Sequence, residues 1–505
     1  MVKPLSKSKL IAFRQCPRRL WLEVHRPDLR EDSGATQAAF ATGHSVGDVA
    51  RHLYDPARTG EMLDLKKLGM QGLMRRTQEL LPQRRPLFEA GFTCQGARAL
   101  ADVLLPTGGV RSQRWRMVEV KSSTSVKDYH REDAAIQFHV AVEAGLRLEG
   151  IAVAVVDSSW VYPGSGRYAG LLVEEDLTAE VASRGAEVRG WIREAQTVAA
   201  QAAEPHRETG SHCTQPFECG FLAHCSADEP AVDAPVQWLP RVQTKSLKQH
   251  LADQAVRSMS DVPDTLLNER QCRVKACTLS GQPWFDAAGA RKVLARHSLL
   301  ATFLDFETIG PAVPTWAGTR PFEAIPFQFS AHQVDAQGRM AHNEFLDLSG
   351  NDPTHDFTIS LLQACGDKGP VFVYSAGFEG RIIKALAQWH PEHKAELTAL
   401  HARLVDLRPI AENHYYHPNQ HGSWSIKAVL PAVAPDLSYD QLGGPQSGGE
   451  AQTAYAEAIN PQTTPERREA LRTGLLAYCR LDTYAMVRLW QVLAGRTDLS
   501  LPDAA

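Results

Sequence analysis

No apolar run in this 505-residue chain is long enough to span a membrane, and its opening, MVKPLSKSKLIAF, lacks the apolar core of a signal peptide. Both absences point to a cytoplasmic protein. Low-complexity tracts are missing, and so is any internal repeat, which excludes a repeat array. Charge of one sign is also scarce: 54 Lys and Arg stand against 58 Asp and Glu, a formal balance of −4. That excludes a generally basic nucleic-acid coat protein. It does not exclude a nuclease, whose phosphate contacts are confined to a local groove. Nine cysteines without a secretion signal read as reduced thiols or metal ligands rather than disulfides. What remains is a globular composition, 43% hydrophobic and 22% charged, in a chain too long for one core. Two or three domains are expected.

Four of the cysteines carry the strongest signal. Cys16 lies in LSKSKLIAFRQCPRRL, and Cys213, Cys219 and Cys225 follow together in HCTQPFECGFLAHC. Four thiolates close a four-cysteine site for an iron–sulfur cluster or for zinc. With ligands this far apart in sequence, such a site clasps the start of a domain to its end. Pro216, Phe217, Gly220 and Phe221 make the later cysteines part of a tight, non-periodic loop, which favours ligation. Cys94, Cys272, Cys277, Cys365 and Cys479 have no such setting and read as buried thiols.

The pattern along the chain is that of an α/β protein. Leu10, Phe13 and Leu20 share a helical stripe. Val103 to Leu105 and Met117 to Val120 read as strands joined by the turn PTGGVRSQ. A helix from about Glu132 to Gly145, a buried strand IAVAVVDS, a hairpin WVYPGSGRY and a long helix from Glu175 to Ala202 follow. The stretch from Ala227 to Trp238 is the best linker, and 241–298 reads as a small helical module with Leu247, Leu251 and Leu266. Three strands are then expected in LLATFLDFET, IPFQFSAHQVD and MAHNEFLDLS, with strand-then-turn in VFVYSAGFEG and a helix in RIIKALAQWH. The 3.6-residue periodicity of LRTGLLAYCRLDTYAMVRLWQVL marks the most secure helix.

Two constellations carry chemistry. In the first, Asp102 starts one predicted strand, while Glu119 and Lys121, two apart on the next, project from the same face. Two carboxylates hold Mg²⁺ or Mn²⁺ through oxygen, and an ammonium beside them orients or polarises a water attacking a phosphate. Gln137 on the following helix is placed to position the Lys or the water, and His44 in ATGHSVG is a candidate further metal ligand. Any single Glu-x-Lys is more often a surface ion pair. Here Val118 and Val120 flank the Glu and an acid precedes it at hairpin distance, which shifts the balance. These residues make 1–226 resemble the RecB-type PD-(D/E)XK exonucleases, in the cluster-bearing branch that includes the AddB nuclease domain and the CRISPR-adaptation exonuclease. The resemblance implies a restriction-endonuclease-like fold, His44, Asp102 and Glu119 as metal ligands, Lys121 and Gln137 as catalytic residues, and a [4Fe–4S] cluster on Cys16, Cys213, Cys219 and Cys225. The five-and-five spacing of the last three leaves the cluster type, or zinc in its place, open. Glu89 is a weaker additional candidate.

In the second, FLDFET puts Asp305 and Glu307 on one face of a buried strand, and YCRLD puts Tyr478 and Asp482 on one face of a helix. Paired acids on an apolar strand need a compensating cation. Glu379 at a strand-to-helix turn and Asp406 in LVDLRP are candidates to join them. Three or four convergent carboxylates bind two Mg²⁺ and stabilise both attacking and leaving oxygens, with Tyr478 positioning water. Taken alone, Tyr478 and Asp482 read as a rim hydroxyl and a solvated acid; FLDFET one domain-length earlier changes that. The region from 298 resembles the DnaQ-like exonucleases of the ribonuclease H-like fold, in the subgroup with a Tyr-x-x-x-Asp motif. It departs from them at SAGFE, where Ser375 replaces the usual Asn and Glu379 the usual Asp. The order of the two regions resembles a bacterial family that fuses a RecB-like domain to a ribonuclease H-like one.

The expected organisation is therefore a PD-(D/E)XK domain (1–226), a linker and small helical module (227–297) and a DnaQ-like domain (298–505). The expected activity is that of a Mg²⁺- or Mn²⁺-dependent nuclease, an exonuclease acting on single-stranded or processed DNA ends in repair or defence. An RNA exonuclease and a nucleic-acid-binding scaffold with inactive sites are the alternatives. Arg18, Arg19, Lys127 and Arg131, with Trp21 and Tyr129, are candidates to contact phosphates and stack bases, or else form an ordinary solvated face.

Overall fold

The computed structural model describes residues 4–109, 112–227, 229–254 and 256–496; Val110 and Arg111 of the predicted turn, Asp228 of the predicted linker and the last nine residues of the predicted third domain lie outside them. The chain divides into two compact units. One comprises Met1–Glu229 with Gly310–Glu323, the other Pro230–Ile309 with Ala324–Ala505.

In the first unit β1 (Leu5–Ser6) leads into α1 (Lys7–Gln15), and α2 (Pro17–His25) follows after one residue. The single helical stripe expected through Leu10, Phe13 and Leu20 is thus two helices. Pro17 lacks an N–H and forces the preceding residue out of the helical region, so Cys16 is extended and Pro17 opens α2. Next come α3 (Gly34–Tyr54), β2 (Glu61–Met62), α4 (Leu65–Leu80), β3 (Leu87–Cys94), β4 (Ala97–Thr107) and β5 (Arg114–Val120). Then come α5 (Asp128–Glu143), β6 (Arg147–Val156), β7 (Leu172–Asp176), α6 (Thr178–Ala182), α7 (Gly185–Ala199) and α8 (Leu222–Ala227). The strands form one mixed sheet in the order β2-β3-β4-β5-β6-β7, with β1 added parallel to β4. β3, β4 and β5 are antiparallel neighbours, whereas β5 and β6 are parallel and joined by α5 as the crossover. Apolar side chains of α5 and α7, among them Ile136, Val140, Val188 and Ile192, bury the sheet face that carries Phe92, Leu104 and Met117.

Two local expectations are corrected here. WVYPGSGRY is an irregular loop turned by Gly164 and Gly166 at positive φ, with Tyr162 and Tyr168 stacked at 4.9 Å; the strand antiparallel to β6 is β7, which begins only at Leu172. Glu175 therefore belongs to a strand, and the long helix predicted from it starts at Gly185.

The second unit begins with α9 (Lys245–Asp253), α10 (Glu269–Ser280), β8 (Trp284–Phe285) and α11 (Ala287–Leu294). Its Val236, Leu247, Met259, Val274 and Leu294 share one buried cluster with Phe303, Tyr416 and Trp490, so this stretch packs into the second unit's core instead of standing apart as a module. The central elements are β9 (Ala301–Ile309), β10 (Ile325–Val334), β11 (Met340–Leu346), α12 (Thr354–Cys365), β12 (Val371–Val373), α13 (Ala376–Trp389), α14 (Lys394–Ala402) and β13 (Leu404–Asp406). They are followed by α15 (Leu407–His414), β14 (Tyr415–Tyr416), α16 (Ile426–Val433), α17 (Gly448–Ala458) and α18 (Pro465–Ala494). The sheet order is β11-β10-β9-β12-β13. β9, β10 and β11 form an antiparallel meander, and β12 and β13 continue it in parallel. Numbered by appearance within this sheet, the order is 3-2-1-4-5. β8 and β14 form a separate two-stranded ribbon.

Candidate functional site

The second unit brings carboxylates together on its sheet. Asp305 and Glu307 alternate along β9, so their side chains leave the same face. α18 lies across that face, and its register is fixed by polar ties that apolar packing alone would not specify. Gln328 Nε2 of β10 donates to the Leu475 carbonyl at 2.7 Å, and the Thr483 hydroxyl lies 2.7 Å from Ser330 Oγ and 2.8 Å from His332 Nδ1. Tyr478 and Asp482, one turn apart, are thereby aimed at β9. Ligand oxygens of Asp305, Glu307 and Asp482 all lie within 4.8 Å of one another.

Burial and mutual repulsion make these acids hard to ionise. Burial first, then the charges of Asp482, Glu307 and Glu379, push Asp305 well above the carboxylate range. Burial and Asp482 raise Glu307 to about 8, against the pull of Lys427. Asp482 is raised by burial to about 6, held down by hydrogen bonds from Tyr439 and Tyr478 and by the Lys427 ammonium. Glu379, in the first turn of α13, is buried and raised to about 8, and its Oε2 has no hydrogen-bond partner. Glu379 is outside the close set of Asp305, Glu307 and Asp482 but near enough for its charge to act on Asp305, and converging buried acids of this kind are what a divalent cation compensates. Asp406 does not join the group. Its two oxygens accept the backbone N–H of Ala376 and of Arg408, so it caps the starts of α13 and α15.

Two residues here escaped the sequence reading. The Tyr439 hydroxyl donates to Asp482 Oδ1 at 2.5 Å. Lys427 Nζ sits 4.8 Å from the centre of the Tyr439 ring and 4.7 Å from that of Tyr478, bringing a cation to the rim of the acidic group. SIKAVL and SYDQL carry no motif that marks either one.

The first unit assembles a different balance. Glu119, on β5, is 1% exposed. Its Oε1 accepts from Lys121 Nζ at 2.6 Å and from Lys7 Nζ at 2.7 Å, and its other oxygen accepts from the Gln137 amide. Lys121 also contacts Asp133 at 2.5 Å, and Lys7 approaches the same carboxylate at 3.2 Å. Burial opposes ionisation of Glu119, but the two ammonium groups and the Gln137 bond outweigh it and hold this acid well below its ordinary range. Asp102 is pushed the other way, by burial and by the Glu119 charge, while its Oδ2 accepts the Val120 N–H at 2.8 Å. Glu89 stands at positive φ within β3, and burial raises it as well.

Asp102, Glu119, Lys121 and Gln137 are thus gathered at one end of β4, β5 and α5. His44 lies exposed on α3; it is close enough to Glu89 to ease that group's ionisation, but it forms no close ligand set with Asp102 and Glu119. Lys7 and Asp133 are the residues missed here. Lys7 is remote in sequence, and only the pairing of β1 with β4 brings it in.

The four expected cysteines do converge. Cys16, at the break between α1 and α2, lines one small cavity with Cys213, Cys219 and Cys225, and all four are buried. The loop is held by the Cys219 N–H to the Cys213 carbonyl (2.8 Å) and by Gln15 Nε2, which donates to the carbonyls of His212 and Phe217, each at 2.7 Å. Their sulfurs are not among the sets of ligand atoms that lie within 4.8 Å of one another in the described residues.

The basic and aromatic residues fare less well as a nucleic-acid face. Arg18 is buried against Glu204, Arg131 pairs with Glu175 and Glu180, and Trp21 is buried with its Nε1 on the Gln201 carbonyl. Arg19 donates to Gln15. Lys127 and Tyr129 do line an open cleft, together with Arg14, Gln15, Gln215 and Pro216.

Among known families, a model described as a domain of unknown function, DUF2779, matches residues 302–425. The match contains Asp305, Glu307 and Glu379 and stops short of Lys427, Tyr439, Tyr478 and Asp482. A search of curated proteins finds no match to the chain.

Proposed function

We propose that this chain is a divalent-metal-dependent nuclease whose principal hydrolytic site is the acidic centre of the second unit. The observation that carries the reading is the convergence of Asp305, Glu307 and Asp482, with the unpaired Glu379 carboxylate near enough to act on Asp305 and no salt bridge to any of the four among the described residues. The reading is supported by a mixed five-stranded sheet with acids on its first strand, after its fourth and on the closing helix, the residues on which the resemblance to DnaQ-like exonucleases rests. Asp305, Glu307 and Asp482, with Glu379 nearby, would hold Mg²⁺ or Mn²⁺, which would supply Lewis-acid stabilisation of the charge developing on a phosphate. Tyr439 fixes the orientation of Asp482, Tyr478 orients the attacking water, and Lys427 offers positive charge to a phosphate oxygen at the rim.

The first unit is proposed as a second, PD-(D/E)XK-type site. The reading is supported by three antiparallel strands, a crossover helix and a parallel fourth strand, with Asp102, Glu119, Lys121 and Gln137 brought together on them. The cysteines are proposed to hold a [4Fe–4S] cluster. The support is that four buried thiols line one small cavity, with zinc held by the same four thiolates as the alternative. DNA is the proposed polymer, on the resemblance of the first unit to RecB-type enzymes. The test is incubation of end-labelled single-stranded DNA, duplex DNA and RNA with the full chain in Mg²⁺, Mn²⁺ or chelator. Metal-dependent shortening of DNA is expected; shortening of RNA alone moves the assignment to an RNA exonuclease, and an intact set of substrates overturns it.

A further inference from the structure

A second group of metal-ligating side chains lies in the second unit, away from the acidic centre. His355, in the first turn of α12, meets Glu392 and His393, which belong to the short turn Pro391–His393 joining α13 to α14. One ligand atom from each lies within 4.8 Å of the others. The two imidazole rings are 6.4 Å apart and tilted by 53°, so they do not stack, and His355 Nδ1 also lies 3.2 Å from Asp356 Oδ1. His390 flanks the group. Its ring lies edge-on to His355 at 5.5 Å, its Nε2 is 3.0 Å from Thr354 Oγ1, and its Nδ1 is 3.8 Å from Glu392 Oε1. An exposed imidazole, a half-buried one and an exposed carboxylate from segments more than thirty residues apart thus share one small volume. Helix and sheet packing does not require them to, because none of the three is in the hydrophobic core.

We propose that His355, Glu392 and His393 form a surface site for a borderline divalent transition ion such as Zn²⁺, clipping the start of α12 to the α13–α14 junction. The donor set decides the class. Two nitrogens and one oxygen suit Zn²⁺, Co²⁺ or Ni²⁺, whereas Mg²⁺ and Ca²⁺ prefer oxygen alone. The side chains of His355 and Glu392 are each 55% exposed, so closing on an ion needs only rotamer adjustment and little desolvation. The site is separate from the acidic centre: α13 rises about 1.5 Å per residue, with Glu379 in its first turn and the histidine group beyond its last. An ion here holds the far end of the helix that presents Glu379. Three protein ligands leave the remaining positions to water, the arrangement of a solvent-facing clip rather than a closed structural cage.

The experiment compares the full chain with its His393→Ala and His355→Gln variants. Each is stripped with chelator, re-equilibrated with Zn²⁺, dialysed and assayed for bound metal and thermal midpoint. Wild type is expected to retain one more equivalent of zinc than either variant. At a hundredfold excess over the dissociation constant, zinc is expected to raise the second unit's midpoint by about 5 °C or more, and the variants should lose that rise. Because the altered side chains lie outside the core, the metal-free midpoints should match, and Mg²⁺-dependent cleavage should be unchanged in His393→Ala. Equal zinc content and equal zinc-induced shifts in all three proteins would overturn the site. A nuclease that works without any such difference would leave the acidic centre's assignment standing.

Discussion

Removing divalent metal should make the second unit's stability strongly dependent on pH, in the opposite sense to most acid-rich proteins. Glu307 and Glu379 are each raised to about 8 and Asp482 to about 6, chiefly by burial. Unfolded carboxylates titrate near about 4. Between these values the folded, metal-free protein holds protons that the unfolded chain has already released, so stability falls as pH rises from about 4.5 to about 8. Each such group costs about 1.4 kcal/mol per pH unit, which for Glu307 alone is about 3 kcal/mol between pH 5.5 and 8. Bound Mn²⁺ should remove the effect, because a cation held by these acids keeps them ionised in the folded state and binds more tightly as pH rises. The assay is urea-dependent amide exchange of peptides from β9 and α18, which reports the second unit alone, in chelator and in excess Mn²⁺. The expected result is a falling curve in chelator and a flat or rising one in Mn²⁺, with Glu307→Gln reducing the fall by about 3 kcal/mol. Parallel curves with and without metal, or an unaltered slope in Glu307→Gln, would refute the reasoning.

Lys7→Met removes one of two ammonium groups from Glu119 and should lower the metal-free stability of the first unit by about 1.5–3 kcal/mol, with partial recovery in Mn²⁺; an unchanged urea midpoint for β5 exchange contradicts the pairing. Tyr439→Phe removes the closer of Asp482's two tyrosine hydroxyl donors and leaves only Tyr478, and apparent Mn²⁺ affinity in the cleavage assay should fall about 10- to 100-fold, with activity returning at high Mn²⁺. Cys213→Ser should abolish iron content and visible absorbance in anaerobically purified protein. Full iron retention in that variant would remove Cys213 from the ligand set, and colourless wild type carrying stoichiometric zinc would replace the cluster with a single ion.

The most legible parts of the sequence were those where a period coincides with burial. β9 and β10 follow their apolar patterns, and the i/i+2 spacing of Asp305 and Glu307 and the i/i+4 spacing of Tyr478 and Asp482 gave the shared faces that the fold then juxtaposes. The non-periodic loop of small and aromatic residues marked only Cys213, Cys219 and Cys225; Cys16, which lines the same cavity, was joined to them by the four-thiolate pattern and the family resemblance. The helix break at Cys16 was also written in the chain, as Pro17, but the apolar stripe through Leu10 and Leu20 masked it. Lys7, Lys427 and Tyr439 were not legible, since each reaches its carboxylate through tertiary packing across a large sequence separation. Asp406 looked like a fourth ligand on composition, yet its lone pairs are spent on two helix starts, a role visible only once α13 and α15 are placed. The assignment of Gly310–Glu323 to the first unit is of the same kind: the Tyr162 N–H donates to the Thr319 carbonyl, and nothing local to either residue announces it.

The central claim, that Asp305 belongs to a working hydrolytic centre, is tested most directly by cleavage of 5′-labelled single-stranded DNA in Mn²⁺ with wild type, Asp305→Asn, Lys121→Ala and the double variant. The account predicts that Asp305→Asn abolishes the main activity, that Lys121→Ala removes a separable part, and that the double variant is inert. Unchanged cleavage by Asp305→Asn, with the fold confirmed intact, would contradict it.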